Sequence, residues 1–255
     1  LMHLRSLSKY LEENRKGDNI FNLFSCEQVM KLGVQIADGM AYLSHKHIYH
    51  MDLAARNCLL DANLNVKVSD FDMARRVQGE YYRLRESKPI PFRWMPPEYF
   101  IEGIFEDQSD VWSYGILLWE IVNPGKMPYS NLDQNLHKME EVKKKVSMGH
   151  TLATSIPPLV PPYLAALMTK CWHFRPSDRP TFLSIVEELL RFTDSNFKKE
   201  FRKGSFFYCG DSNIQDTYFA RSPEGDEPKG MTLDPEDDEA TPRTPLTSSS
   251  SSLSG

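Results

Sequence analysis

From Ser25 onward, Val29, Leu32, Gly33, Ile36, Gly39, Met40 and Leu43 recur at steps of three and four, the period of a helix that turns one face to a core. Ser25 and Gln28 occupy capping-box positions at its start. A buried helix of this length needs helical company, and the chain supplies it. Asp110 to Val122 is a strongly apolar helix, and Tyr163 to Trp172 and Phe182 to Phe192 are amphipathic ones divided by the turn Arg175 to Pro180. Near the start, Leu7, Tyr10 and Leu11 mark a short surface helix that ends in the polar run Asn14 to Asn19. Residues Cys58 to Leu60 and Val66 to Val68 flank the polar turn Asp61 to Asn65 as the arms of a small hairpin. Polar, strand-edged loops fill the chain from there to Pro97. The pattern predicts a mainly α fold, a helical bundle with short β-hairpins.

The 255 residues, 40% of them hydrophobic and 25% charged, suffice for one sizeable core and something extra. A formal charge of -5 excludes a general nucleic-acid binder, which needs a dense basic face. Cys26, Cys58, Cys171 and Cys209 are scattered without a CxxC pair, which fits a reduced, cytoplasmic setting. The longest apolar run, around Tyr114 to Val122, is too short to span a bilayer. The chain opens on Leu1 rather than methionine, so any membrane link is expected through a missing upstream segment. Past about Gly204 the texture turns to Pro, Glu, Asp and Thr with a serine run from Ser248 to Ser252, which predicts a disordered tail. Within it Ser222-Pro223, Thr241-Pro242 and Thr244-Pro245 are either sites for proline-directed kinases or chance pairs in a solvated segment. The division expected is 1–24, 25–195, 196–208 and 209–255: an edge segment with the first helix, the main lobe, an extension, and the tail.

Phosphoryl transfer to a hydroxyl needs a carboxylate to orient the nucleophile and take its proton, and oxygen ligands to hold magnesium against the phosphates. The run His50-Met51-Asp52-Leu53-Ala54-Ala55-Arg56-Asn57, followed by Asp70-Phe71, offers candidates for both. Asp52 stands five residues before Asn57 and eighteen before Asp70. In this spacing and context the chain resembles the protein kinase family. The match continues in order through Trp94-Met95-Pro96-Pro97-Glu98, Asp110-Val111-Trp112-Ser113-Tyr114-Gly115 and Cys171-Trp172 to Arg179-Pro180. Leu53-Ala54-Ala55-Arg56-Asn57 and Pro91-Phe92-Arg93-Trp94 look like the tyrosine-specific version. The pair Tyr81-Tyr82 before Arg83, together with Trp172 through Leu183 and Ser205 through Tyr208, is most similar to the insulin-receptor group of receptor tyrosine kinases.

The resemblance implies a kinase carboxy-terminal lobe without its amino-terminal lobe, with ATP and Mg2+ as cofactors. It implies Asp52 as catalytic base, Asn57 and Asp70 as magnesium ligands, and Arg56 as the group that positions Asp52 and the substrate hydroxyl. Leu1 and Met2 correspond to the hinge at the nucleotide, and Tyr81 and Tyr82 to phosphorylation sites of the activation loop. His50, Phe71, Glu98, Asp110 and Arg179 are expected to be structural, Glu98 pairing with Arg179 in a buried salt bridge and Asp110 bracing the catalytic loop. The partners implied are protein tyrosine substrates or adaptors and another kinase chain in a dimer, on the cytoplasmic side of a single-pass receptor.

Three departures bear on activity. Met51 stands where kinases usually carry an arginine that binds the phosphorylated activation loop, and Val77 replaces an additional loop tyrosine. Asp72 follows Asp-Phe where the family has glycine, a residue with freer backbone angles. No GxG occurs, Arg5 and Ser6 fall where a glycine and a ribose-binding aspartate are common, and no strand lysine for the phosphates is recognisable. Two readings therefore stand: part of a receptor-type tyrosine kinase, inert as the chain alone, or a pseudokinase binding module. Both expect an exposed apolar face on the helix from Val29 to Leu43, where another lobe would sit.

Overall fold

Ser25 starts the first long helix as the spacing predicts. In the computed structural model, which describes residues 5–15, 17, 20–83, 90–130 and 138–210, its hydroxyl accepts the Gln28 N–H at 3.0 Å. Only half of the capping box forms, because the Gln28 side chain turns away to the Leu64 carbonyl. The helix, α2 (Cys26–His45), follows α1 (Leu7–Glu13), which Ser6 caps through the Lys9 N–H. Val29, Leu32, Val34, Ile36, Ala37 and Met40 of α2 are all buried. They pack chiefly along a later helix, α7 (Phe182–Leu190).

The exposed apolar face expected on α2 is therefore absent. The Val29 to Leu43 stripe is consumed inside the lobe, and the large apolar side chains that do face solvent, such as Met148, Leu159 and Phe174, lie elsewhere. The amphipathic pattern gave the stripe correctly but assigned it the wrong cover.

Between α2 and α7 the chain forms α3 (Pro97–Glu102), α4 (Ser109–Val122), α5 (Lys138–Ser147) and α6 (Pro162–Cys171), and it closes with α8 (Ser195–Gly204) and α9 (Phe206–Cys209). Every residue of α4 except Glu120 is buried. The Tyr114 hydroxyl donates to the Gly33 carbonyl at 2.9 Å and fixes α4 to α2. Against α6 the contact is tighter. A Cβ on Gly115 would meet the Cys171 Cβ at 2.9 Å and the Trp172 indole nitrogen at 2.5 Å, so only glycine fits. At the carboxy-terminal end, the N–H groups of Phe206 and Phe207 donate to the two oxygens of Asp38, which ties this extension to α2.

The strands are short. β3 (Cys58–Leu60) and β4 (Val66–Val68) form the predicted hairpin, with Cys58 opposite Val68, and β1 (Arg5–Ser6) joins the outer edge of β3. Asp61 closes the turn by accepting the N–H groups of Asn63 and Asn65, both at 2.8 Å. β2 (Ile48–Tyr49) pairs antiparallel with β5 (Arg75–Arg76), and β6 (Tyr81–Arg83) with β7 (Ile104–Glu106). These two pairs frame the segment on which the candidate site is built.

One buried ion pair joins the middle of the chain to its later helices. Arg179 meets Glu98 with two parallel bonds, Nη1 to Oε1 at 2.7 Å and Nη2 to Oε2 at 2.8 Å. Its remaining donors reach the carbonyls of His173, Gln108 and Phe174, and Ser109 donates its hydroxyl to Glu98. A fully hydrogen-bonded pair of this kind costs little as built, whereas removing one partner strands the other charge in the core. Arg179→Met should therefore lower the free energy of unfolding by about 3–5 kcal/mol, read from urea titration, while Glu98→Leu combined with Arg179→Met recovers most of that loss.

Candidate active site

The segment His50 to Ala55 is held between two acidic side chains of α4. Asp110 accepts the His50 N–H on Oδ2 at 2.7 Å and the Met51 N–H on Oδ1 at 3.0 Å. Met51 needs that support, because its φ of 64 lies in the left-handed region, which is costly for an unbranched long side chain. Burial pushes the Asp110 carboxyl up to about 7 against the pull of these two donors. At the other end Glu120 accepts the Ala55 N–H at 2.9 Å.

His50 fixes the tautomer of its own ring. Nε2 lies 3.1 Å from the Ser69 carbonyl, which can only accept, so Nε2 carries the proton; Nδ1 then accepts the Asp52 N–H at 3.3 Å. The bond accepted by Nδ1 requires the neutral ring, and burial holds its pKa down to about 4 against the pull of the Ser69 carbonyl. The ring also packs on Phe71, centroids 5.3 Å apart.

Asp52, Arg56 and Asn57 come together in front of this support. Arg56 pairs with Asp52 Oδ1, and Asn57 donates its amide to Asp52 Oδ2 at 2.8 Å and to the Asp52 carbonyl at 2.7 Å. With its amide protons directed at Asp52, Asn57 retains an oxygen as lone-pair donor. Burial raises the Asp52 pKa above the ordinary carboxylate value, partly offset by Arg56 and Asn57, and Asp70 raises it further. Asp70 follows Ser69, which is tied to Asn57 by two bonds of 2.9 Å to the Asn57 carbonyl. Asp70 is exposed and left-handed, with φ 63, a conformation that Asp tolerates better than most residues. The oxygens of Asn57 and Asp70 are hard donors of the kind that suit magnesium, which takes few protein ligands and completes its shell with water or phosphate.

Beside the carboxylates lies the short 3-10 turn Phe92–Trp94. The Arg56 guanidinium sits over the Trp94 ring, 4.3 Å from its centroid. Trp94 is pinned to α4 twice, by its carbonyl accepting from Ser113 and by its indole N–H donating to Glu120, both at 2.9 Å. Glu120 is not marked by any sequence motif, and Ser113 is marked only as part of the run Asp110 to Gly115. The signal for Glu120 was there: it is the one charged residue after Asp110 in an otherwise apolar helix. Leu1 and Met2 lie outside the described residues, as does the tail from 211 onward.

A family model described as protein tyrosine and serine/threonine kinase matches residues 1–189. The chain belongs to that kinase family. Among its relatives, the kinase is 38% identical over 220 residues to the insulin receptor of Xenopus laevis, a match covering 86% of the chain and 14% of the relative. It is 35% identical over 250 residues to the insulin-like growth factor 1 receptor of Bos taurus, covering 98% and 35%. The cytoplasmic tyrosine-protein kinase BMX of Mus musculus is 41% identical over 186 residues, covering 72% and 27%. The kinase thus spans a third or less of most of these relatives' length, and it is a tyrosine kinase domain related to the insulin-receptor group. Among the described residues no helix is long and apolar enough to cross a membrane.

The departures from the family pattern have physical readings in this kinase. Asp72 is not in the left-handed region; the strained member of Asp70-Phe71-Asp72 is Asp70, so loss of the glycine costs nothing through a positive φ at position 72. Ser6 caps α1 rather than standing idle at the edge. Met51 is buried in an apolar cluster with Tyr49, Val77, Met95 and Phe105, against which Met73, Tyr82 and Ile90 pack. Tyr81 and Tyr82 are half-buried in β6, opposite Glu106 and Phe105 of β7.

The His50 tautomer makes a pH prediction. In the unfolded chain the ring takes a proton below 6.5, and in the folded chain only below about 4. Its contribution to stability is thus complete above the upper value and drains away as pH falls through the window. His50→Phe should cost about 1–3 kcal/mol at neutral pH by orphaning the Ser69 carbonyl and the Asp52 N–H. Urea titrations at successively lower pH should show the gap between wild type and variant narrowing.

Proposed function

We propose that this chain is the catalytic-loop lobe of a receptor-type tyrosine kinase that transfers the γ-phosphate of ATP to protein tyrosines. The observation that carries the reading is the Asp52 carboxylate, held by Arg56 and Asn57 on a segment stapled at both ends. On this reading Asp52 orients the tyrosine hydroxyl and takes its proton as the oxygen bonds to phosphorus. The bond from phosphorus to the bridging oxygen breaks, and its electron pair leaves with ADP. Arg56, seated over Trp94, keeps Asp52 aimed and leaves room for the substrate ring beside the platform. Asn57 and Asp70 would hold magnesium, which neutralises charge on the phosphates when bound.

A second reading, a pseudokinase module without transfer, draws on Met51. A thioether in an apolar cluster offers no donor to a phosphate, so phosphorylated Tyr81 or Tyr82 finds no arginine at this position. Under either reading the partners are protein tyrosines, adaptors or a second kinase chain, on the cytoplasmic side of a membrane receptor.

Residues 1–255 joined behind the amino-terminal lobe of an active tyrosine kinase separate the two. Transfer to a tyrosine polymer that Asp52→Asn abolishes supports the enzyme. A chimera that binds ATP with magnesium yet transfers no phosphate supports the pseudokinase. The chain alone should transfer none, since positioning supplies most of this catalysis.

The Met51 cluster yields a separate expectation. Met51→Arg places a charge among Tyr49, Val77, Met95 and Phe105, and should lower stability by at least about 2 kcal/mol, visible as a depressed thermal midpoint.

A further inference from the structure

We infer that Glu120 is a positioning residue that locks the Asp52–Arg56 pair to the Trp94 platform, an inference that rests on the tyrosine-kinase reading for its catalytic consequence. Two donors from separate parts of the chain converge on one atom, Glu120 Oε2: the Ala55 N–H and the Trp94 indole N–H, each at 2.9 Å. Two bonds to a shared oxygen cannot let their donors drift farther apart than twice that length. Ala55 precedes Arg56, and Arg56 returns over the Trp94 ring. The contacts therefore close a ring that runs Glu120, Trp94, Arg56, Ala55 and back to Glu120, with Asp52 attached through Arg56.

The ring is more than a set of independent bonds. An anionic acceptor on the indole N–H pushes electron density into the ring, and a richer π face holds the Arg56 guanidinium more firmly. The carboxylate does this through Trp94 rather than by direct pairing, so it steers Arg56 without competing with Asp52 for it. The groups that act electrostatically on Glu120 are Arg56, which favours its charge, and Asp52, which opposes it; Glu120 in turn opposes ionisation of the Cys58 thiol. Burial is the largest influence and brings its carboxyl to about 7, partly offset by the Ala55 and Trp94 donors. The lock accordingly weakens as pH drops through neutrality.

Glu120→Gln keeps an oxygen for both donors and removes the charge, and this distinguishes positioning from mere packing. The test is the indole N–H resonance of Trp94 and the side-chain N–H resonance of Arg56 in the 1–255 chain labelled with 15N-tryptophan and 15N-arginine, identified by their absence in Trp94→Phe and Arg56→Lys. In the wild type the indole should move upfield as pH falls from about 8 to about 6, with the Arg56 side-chain N–H broadening in parallel. In Glu120→Gln the indole should hold one pH-independent position and Arg56 should be broadened throughout. A wild-type indole resonance that ignores pH, or one that titrates identically in Glu120→Gln, overturns the inference. In the chimera, Glu120→Gln should lower kcat with a tyrosine peptide by about tenfold and leave the KM for ATP unchanged; an unaltered kcat also overturns it. A chimera that transfers nothing, alongside the expected titration, counts against the kinase reading and leaves the lock standing.

Discussion

Two carboxylates on one buried helix determine where the candidate site lies. Asp110 and Glu120 are ten residues apart on α4, about 15 Å along its axis. The segment from His50 to Ala55 that they grip is five steps long, at most about 17 Å when extended. Both of its ends are anchored on the one helix, and Asp52 sits between those two fixed points. Setting one buried and one half-buried acid on an apolar helix is costly, and the cost is offset by the N–H donors of His50, Met51, Ala55 and the Trp94 indole that meet them. The site and the core thus satisfy each other's polar groups.

That helix in turn depends on the clamp behind it. Glu98 and Arg179 bracket its start, with Ser109, its first residue, donating to Glu98 and Gln108 accepting from Arg179. A charge pair here fixes geometry where an apolar pair would fix only volume, because each guanidinium proton has a designated acceptor. Met51 shows the opposite solution a few residues away. There apolar packing among Tyr49, Met51, Val77, Met95 and Phe105 holds the chain without a directional charge contact.

Much of this was legible in the residues. The stripe from Val29 to Leu43, the Cys58 to Val68 hairpin and the apolar α4 follow from period and composition, and the kinase motifs anticipated that Glu98 and Arg179 would meet. Other features were not legible for definable reasons. Whether the α2 stripe faced another lobe or this one depends on α7, a partner some 140 residues away that periodicity cannot assign. Asp72 drew attention as the replaced glycine, yet the left-handed residue is Asp70, and backbone sign is not written in residue type when Asp can adopt either. Glu120 stands out as a charge in an apolar helix, but its task is not written there; only the arrival of Ala55 and Trp94 on one oxygen gives it one. Two-residue strands such as β1 and β2 are too short to carry a pattern at all.

The close approach at Gly115 has a consequence for how damage would travel. With no room for even one methyl group between α4 and the Cys171-Trp172 corner, α4 is seated like a rail bolted at its midpoint. A side chain there would not open a local gap but would shift the rail as a unit, since its neighbours are packed on every side. The two acids near its ends would move with it. A lesion with no contact to Asp52 would thus be felt as a displacement of both anchors of the segment that carries it.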